Sequence, residues 1–172
     1  MRTRRVLREL QSMMRSSERE ESPFKISLVN DSNIFEWEVK LVQFDENSDL
    51  WRSMRETQTE SIEFRLTFPE LFPFHPPFLR LVRPYIDNGF IMDGGAICME
   101  VLTSQGWSGA YTIEALLVQV ASDLTHGGAV VSSRQKRKYN RLTQKRAEVE
   151  FRRISKIHAK YGWVSMERDE YM

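Results

Sequence analysis

One cysteine, Cys98, stands in the chain, inside the stretch Gly94-Gly95-Ala96-Ile97-Cys98-Met99-Glu100. A lone thiol has no internal disulfide partner, so it is free for nucleophilic chemistry. The plain alternative is a small buried hydrophobe, which is what most single cysteines are. The flanks argue for the nucleophile: two glycines precede Cys98, and the segment around it has no helical or strand period. Asp93 and Glu100 are the nearest carboxylates in sequence, placed to attract a lysine or to face solvent. Three scattered histidines (His75, His126 and His158) and one cysteine do not make a zinc site, and no phosphate-binding loop is present.

The rest of the chain must position that thiol. At 172 residues, with 41% hydrophobic and 28% charged composition, the chain suits one domain, residues 1–172, with a real core. A net charge of +1 gives no electrostatic ground for nucleic-acid binding. No apolar run is long enough to span a bilayer, so neither nucleic acid nor membrane is an expected partner. The Arg-rich start could mimic a transit peptide, but Glu9 counts against that and the segment reads as a helix of the domain. A free thiol fits a reducing compartment, cytoplasm or nucleus.

Val6, Leu7, Leu10, Met13 and Met14 fall on one side of that first helix, and Arg4, Arg8 and Arg15 on the other. Alternating patterns predict strands over 24–29, 35–41 and 62–68, with a short fourth over 78–82. Asn30 to Asn33 reads as a turn and the polar stretch 45–60 as a loop. After the proline-rich run Phe72-Pro73-Phe74-His75-Pro76-Pro77, the segment 84–108 reads as a long irregular loop, the kind that usually carries function. Ile113, Leu116, Leu117, Val120 and Leu124 keep helical spacing, with Thr112 as N-cap and Gly127-Gly128 as stop. Residues 130–138, with Lys136, Arg137 and Lys138, read as a basic linker. A final helix is expected from about Tyr139 to Tyr161, with Ala147, Phe151, Ile154 and Tyr161 as its apolar stripe. The order predicts an α+β fold: an N-terminal helix, a four-stranded antiparallel meander, the loop holding Cys98, then C-terminal helices.

Order and motifs together resemble the ubiquitin-conjugating fold from about Arg4 to Trp163. The stretches Gly94 to Glu100, Gly106-Trp107-Ser108 and Ile157-His158-Ala159-Lys160-Tyr161-Gly162-Trp163 are similar to the Q-type branch. The resemblance implies an enzyme whose Cys98 accepts ubiquitin from an activating enzyme as a thioester and passes it to a substrate or ligase. It implies no cofactor, since ATP is used by the activating enzyme. Exchange between thioesters is close to energy-neutral, so such a site needs positioning more than driving force. The same resemblance gives Arg4, Arg5 and Arg8 as the face offered to the acidic activating enzyme. It gives Phe74 with Pro73, and Ser108 with Ala110, as the two ligase-contact loops. Trp107 is expected to be structural.

The chain departs from the usual His-Pro-Asn triplet. The matching positions are Asn88-Gly89-Phe90, so an aromatic ring replaces the supporting amide. Two replacements are open: backbone N–H groups around Gly94 and Gly95 aimed at the oxyanion, or His158 and Trp163 brought near Cys98. His158 lies in the apolar stripe, where it either deprotonates an incoming amine or hydroxyl or packs as a core histidine. Two other readings compete with the active enzyme: a catalytically weak or inactive variant of the same fold that only binds ubiquitin or a partner, and a cysteine hydrolase pairing Cys98 with His75, His126 or His158.

Overall fold

The computed structural model of the chain describes residues 1–132 and 143–160, with only the backbone described for Asp93 and for 154–160. Chain order is helix α1 (Arg2–Ser17), strands β1 (Phe24–Leu28) and β2 (Glu36–Leu41), helix α2 (Asp49–Glu56), then strands β3 (Ile62–Thr67) and β4 (Phe78–Arg83). Strand β5 (Ile86–Asp87), helix α3 (Ile113–His126), strand β6 (Val130–Val131) and helix α4 (Gln144–Lys160) follow. Strands β1 to β4 form one antiparallel sheet in sequence order, the predicted meander.

The alternation in the strands sets which sheet face is dry. In β2 Trp37, Val39 and Leu41 are buried, and β3 places Phe64 and Leu66 opposite Val39 and Trp37. Trp37 is fully buried, packs edge-on against Phe68 with ring centroids 4.7 Å apart, and donates its indole N–H to the Ile34 carbonyl at 2.7 Å. From α1 come Val6, Leu10 and Met13, and from α3 Ile113, Leu116, Leu117, Val120 and Leu124. Leu7 and Met14, expected inward, are exposed. Thr112 caps α3 as predicted, its hydroxyl accepting the Ala115 N–H at 3.1 Å.

Three readings need correction. The polar stretch 45–60 holds a helix, α2. Its cap is Ser48, whose hydroxyl accepts the Trp51 N–H at 3.1 Å, and only Leu50 and Met54 turn fully into the core. Two core residues at (i, i+4) spacing suffice for two turns but are swamped by the charged positions around them. Residues 130–131 begin no linker: they form β6, which pairs with β5, and Ser132 N–H donates to Tyr85 O at 2.8 Å. The last helix starts at Gln144, with Ala147 buried and Phe151 half-buried. Positions 133–142, with Lys136, Arg137 and Lys138, lie outside the described residues, as does Tyr161. No described helix is long and apolar enough to cross a membrane.

Candidate active site

The segment around Cys98 is not irregular. Ile91 and Ile97 form an antiparallel bridge, Met92 N–H donates to Ala96 O at 2.8 Å, and Cys98 N–H donates to Phe90 O at 2.9 Å. These bonds define a short hairpin. Its tip is the tight turn Asp93–Gly95, its base the Phe90–Cys98 pair, and Ala96 bridges to Arg80 on β4. Cys98 therefore sits on the returning arm of a hairpin added to the sheet edge.

The outgoing arm enters through backbone that most residues avoid. Asn88, Gly89 and Phe90 have φ of 64°, 62° and 63°. A left-handed conformation costs a non-glycine residue about 1 kcal/mol, so surrounding contacts must hold it. Gly89 N–H donates to Gly127 O at 3.1 Å, and a Cβ on Gly89 would lie 2.5 Å from Ala129 Cβ. A Cβ on Gly127 would come within 2.7 Å of the Phe90 ring. The ring thus lies on the bare backbone that ends α3, 49% exposed, while the Phe90 carbonyl holds Cys98.

Cys98 is half-buried, and burial pushes its thiol above the usual value. One of the two expected oxyanion donors is already bonded. Gly95 N–H is spent on Met92 O at 3.1 Å, and Gly94 lies beneath α4, where a Cβ would meet Ala147 N at 2.5 Å. Glu100 is exposed and opens a one-turn helix, Glu100–Leu102. The side chains of Asp93 and His158, and all of Trp163, lie outside the described residues. His126 turns back on its own helix, with Nδ1 2.8 Å from Ser122 O, and His75 stays in the proline-rich loop.

The two predicted ligase-contact loops are brought together. Trp107 is buried and donates its indole N–H to Pro73 O at 2.8 Å, with its ring on Phe72 and Tyr111. Pro73 is therefore a buried anchor, and it leaves Phe74 69% exposed. Ser108 is half-buried, its hydroxyl accepting the Ala110 N–H at 3.3 Å, and Ala110 is exposed.

Of Arg4, Arg5 and Arg8 on α1, Arg4 and Arg8 are exposed, but Arg5 is committed inside the molecule. Its guanidinium donates to Gly109 O at 2.8 Å and Tyr111 O at 2.6 Å, and it pairs with Glu9 at 2.7 Å. Glu9, 5% exposed, also accepts the Ile113 N–H at 2.9 Å. Sequence reasoning missed Glu9. The available signal was its place on the buried side of α1, between Val6 and Met13.

Among the described residues no cluster of three histidine, cysteine or carboxylate side chains could hold a metal. The family model described as ubiquitin-conjugating enzyme matches residues 5–157. The human Q-like protein 1 of the ubiquitin-conjugating enzymes is 46% identical over 159 residues, covering 92% of this chain and 96% of its own. Human ubiquitin-conjugating enzyme E2 Q1 is 37% identical over 172 residues, 98% of this chain but 40% of that protein. Among solved structures, an E2 from Plasmodium falciparum superposes with a TM-score of 0.58 at 22% identity, covering 72% of this chain and 83% of that one. Human E2 G1 gives 0.54 at 20% identity, covering 69% and 90%.

Proposed function

Since the chain belongs to the ubiquitin-conjugating enzyme family and is similar to its Q-type members, we propose that Cys98 is the residue that carries ubiquitin. The observation that carries this reading is the half-buried thiol at the base of a hairpin, its own N–H fixed by Phe90 O at 2.9 Å. The Cys98 thiolate attacks the thioester carbonyl of ubiquitin held on the activating enzyme. A new S–C bond forms, the old one breaks, and the activating enzyme's thiol leaves with the proton. An amine or hydroxyl of a substrate, or a ligase thiol, then attacks the Cys98 thioester, and Cys98 returns as a thiol. Burial favours the neutral form of that sulfur.

Exposed Arg4 and Arg8 on α1 support docking of the activating enzyme, with Arg5 acting from within to hold the helix against the 109–111 loop. Exposed Phe74, with Ser108 and Ala110 beside it, supports a ligase-contact surface. His158 and Trp163 remain in this reading as acceptor-side support. ATP is consumed by the activating enzyme, and cytosol or nucleus suits a free thiol. A second reading, a weak or inactive variant that only binds ubiquitin or a partner, draws on Phe90 in place of the usual amide.

One gel separates them. The protein is incubated with activating enzyme, ATP and ubiquitin and resolved with and without reducing agent. The expected result is a thiol-sensitive adduct that is lost in Cys98→Ala. No adduct, with ubiquitin or partner binding retained, sinks the first reading and supports the second.

A further inference from the structure

The hairpin that carries Cys98 is gripped at its other end by a separate packing unit. Helix α4 opens on Thr143, whose carbonyl accepts the Ala147 N–H at 3.0 Å and whose hydroxyl accepts the Arg146 N–H at 3.4 Å. One turn in, the helix rests backbone to backbone on the hairpin tip. A Cβ on Gly94 would lie 2.5 Å from Ala147 N and 2.6 Å from Arg146 C, and Gly94 has a φ of 74° besides. Only glycine admits this approach. Ala147 is 0% exposed and forms, with Phe78 and Ala96, a small cluster distinct from the main core. Met92 and Phe151 complete it, Phe151 edge-on to Phe78 at 5.9 Å and 82°. Among the described residues, no α4 side chain enters the main core.

The hairpin between tip and base is tied rung by rung: Gly95 to Met92, Met92 to Ala96, Ile91 to Ile97, Phe90 to Cys98. Ile97 and Met99 seat the base of the hairpin in the main core, and the rungs link that base to the tip, so a displacement at the tip reaches the sulfur through backbone bonds. We infer that α4, through the seat of Ala147 on Gly94, positions Cys98 for transfer. Gly94 and Ala147 are positioning residues that touch no substrate. The inference rests on Cys98 being the transferring nucleophile.

The test uses the full chain with Ala147→Leu and Gly94→Ala, which lift the helix from the tip, and Ala147→Ser, which still fits the seat. Hydrogen exchange is followed by mass spectrometry over 90–98 and over 62–67 in the main sheet. Alkylation of Cys98 by iodoacetamide and single-turnover discharge of a preformed thioester are measured beside it. The expected outcome is exchange over 90–98 and alkylation both faster by about tenfold, with discharge slower by about tenfold or more, as misplacement near 1 Å produces. Exchange over 62–67 stays at the wild-type rate, and Ala147→Ser behaves as wild type throughout. Unchanged hairpin exchange in both displacing variants overturns the inference. So does unchanged discharge from a loosened hairpin, or a main sheet that loosens to the same degree. Should the wild type never form a thioester, the Cys98 reading fails on its own, while exchange and alkylation still decide whether α4 positions the thiol.

Discussion

The two packed units of this molecule differ in what they hold. The main core joins α1, the sheet, α2, α3 and, through Ile97 and Met99, the returning arm of the hairpin around Trp37, Phe64 and Phe68, all but fully buried. The small cluster of Phe78, Ala96 and Ala147 joins only α4, the first residue of β4 and the hairpin. The first holds the fold and the two neighbours of Cys98, and the second seats the hairpin tip. A small seat at the tip can be adjusted with little cost to stability, since burial energy scales with the apolar area each unit removes from water.

The largest effect that sharpens this division is in the main core. Trp37→Ala removes a fully buried ring, its contact with Phe68 and its bond to Ile34, and is expected to cost about 3–5 kcal/mol. Denaturant unfolding followed by circular dichroism should show both units lost together. An α4 that persists while the sheet melts would break the proposed hierarchy.

Glu9→Ala comes next. It leaves the buried Ile113 N–H without its acceptor and takes from Arg5 its carboxylate partner, for an expected loss of about 2–3 kcal/mol. Its discharge rate per folded molecule should stay at the wild-type value, because the lesion lies in the main unit. A discharge rate that falls well beyond the folded fraction would show that the α1 side also governs the thiol.

The smallest effect is at the sheet's polar face. Burial raises the Glu63 carboxyl, but the Arg83 hydrogen bond and the charges of Lys40 and Arg83 outweigh it and hold the group below its usual value. A carboxylate with a lowered folded pKa contributes stability above its unfolded value of about 4.3 and loses it as pH falls through the folded one. Thermal unfolding across that acid range should therefore decline less steeply for Glu63→Gln than for wild type. Parallel acid profiles would assign the decline to other carboxylates.

Much of this was legible in the sequence because the signals were local. Strict alternation at Trp37, Val39 and Leu41 gave the strand, the spacing of Ile113 to Leu124 gave α3, and two glycines beside a lone thiol marked Cys98. What escaped depends on partners far along the chain. Arg5 reads as one more solvated charge until the carbonyls of Gly109 and Tyr111 arrive beneath it. Nothing beside Gly94 in sequence announces that Ala147 closes over it. The hairpin is only a few rungs long, too short to leave a period. Helix α2 escaped for a different reason: a cap and two core residues cannot outweigh the charge around them.

Burial at Cys98 also bears on how the protein ages. Peroxides and electrophiles attack thiolate, and raising the thiol's pKa thins the thiolate population at neutral pH. The burial that favours the neutral thiol thereby lowers its exposure to oxidation, so the chain's one cysteine is kept chemically quieter than a fully exposed one.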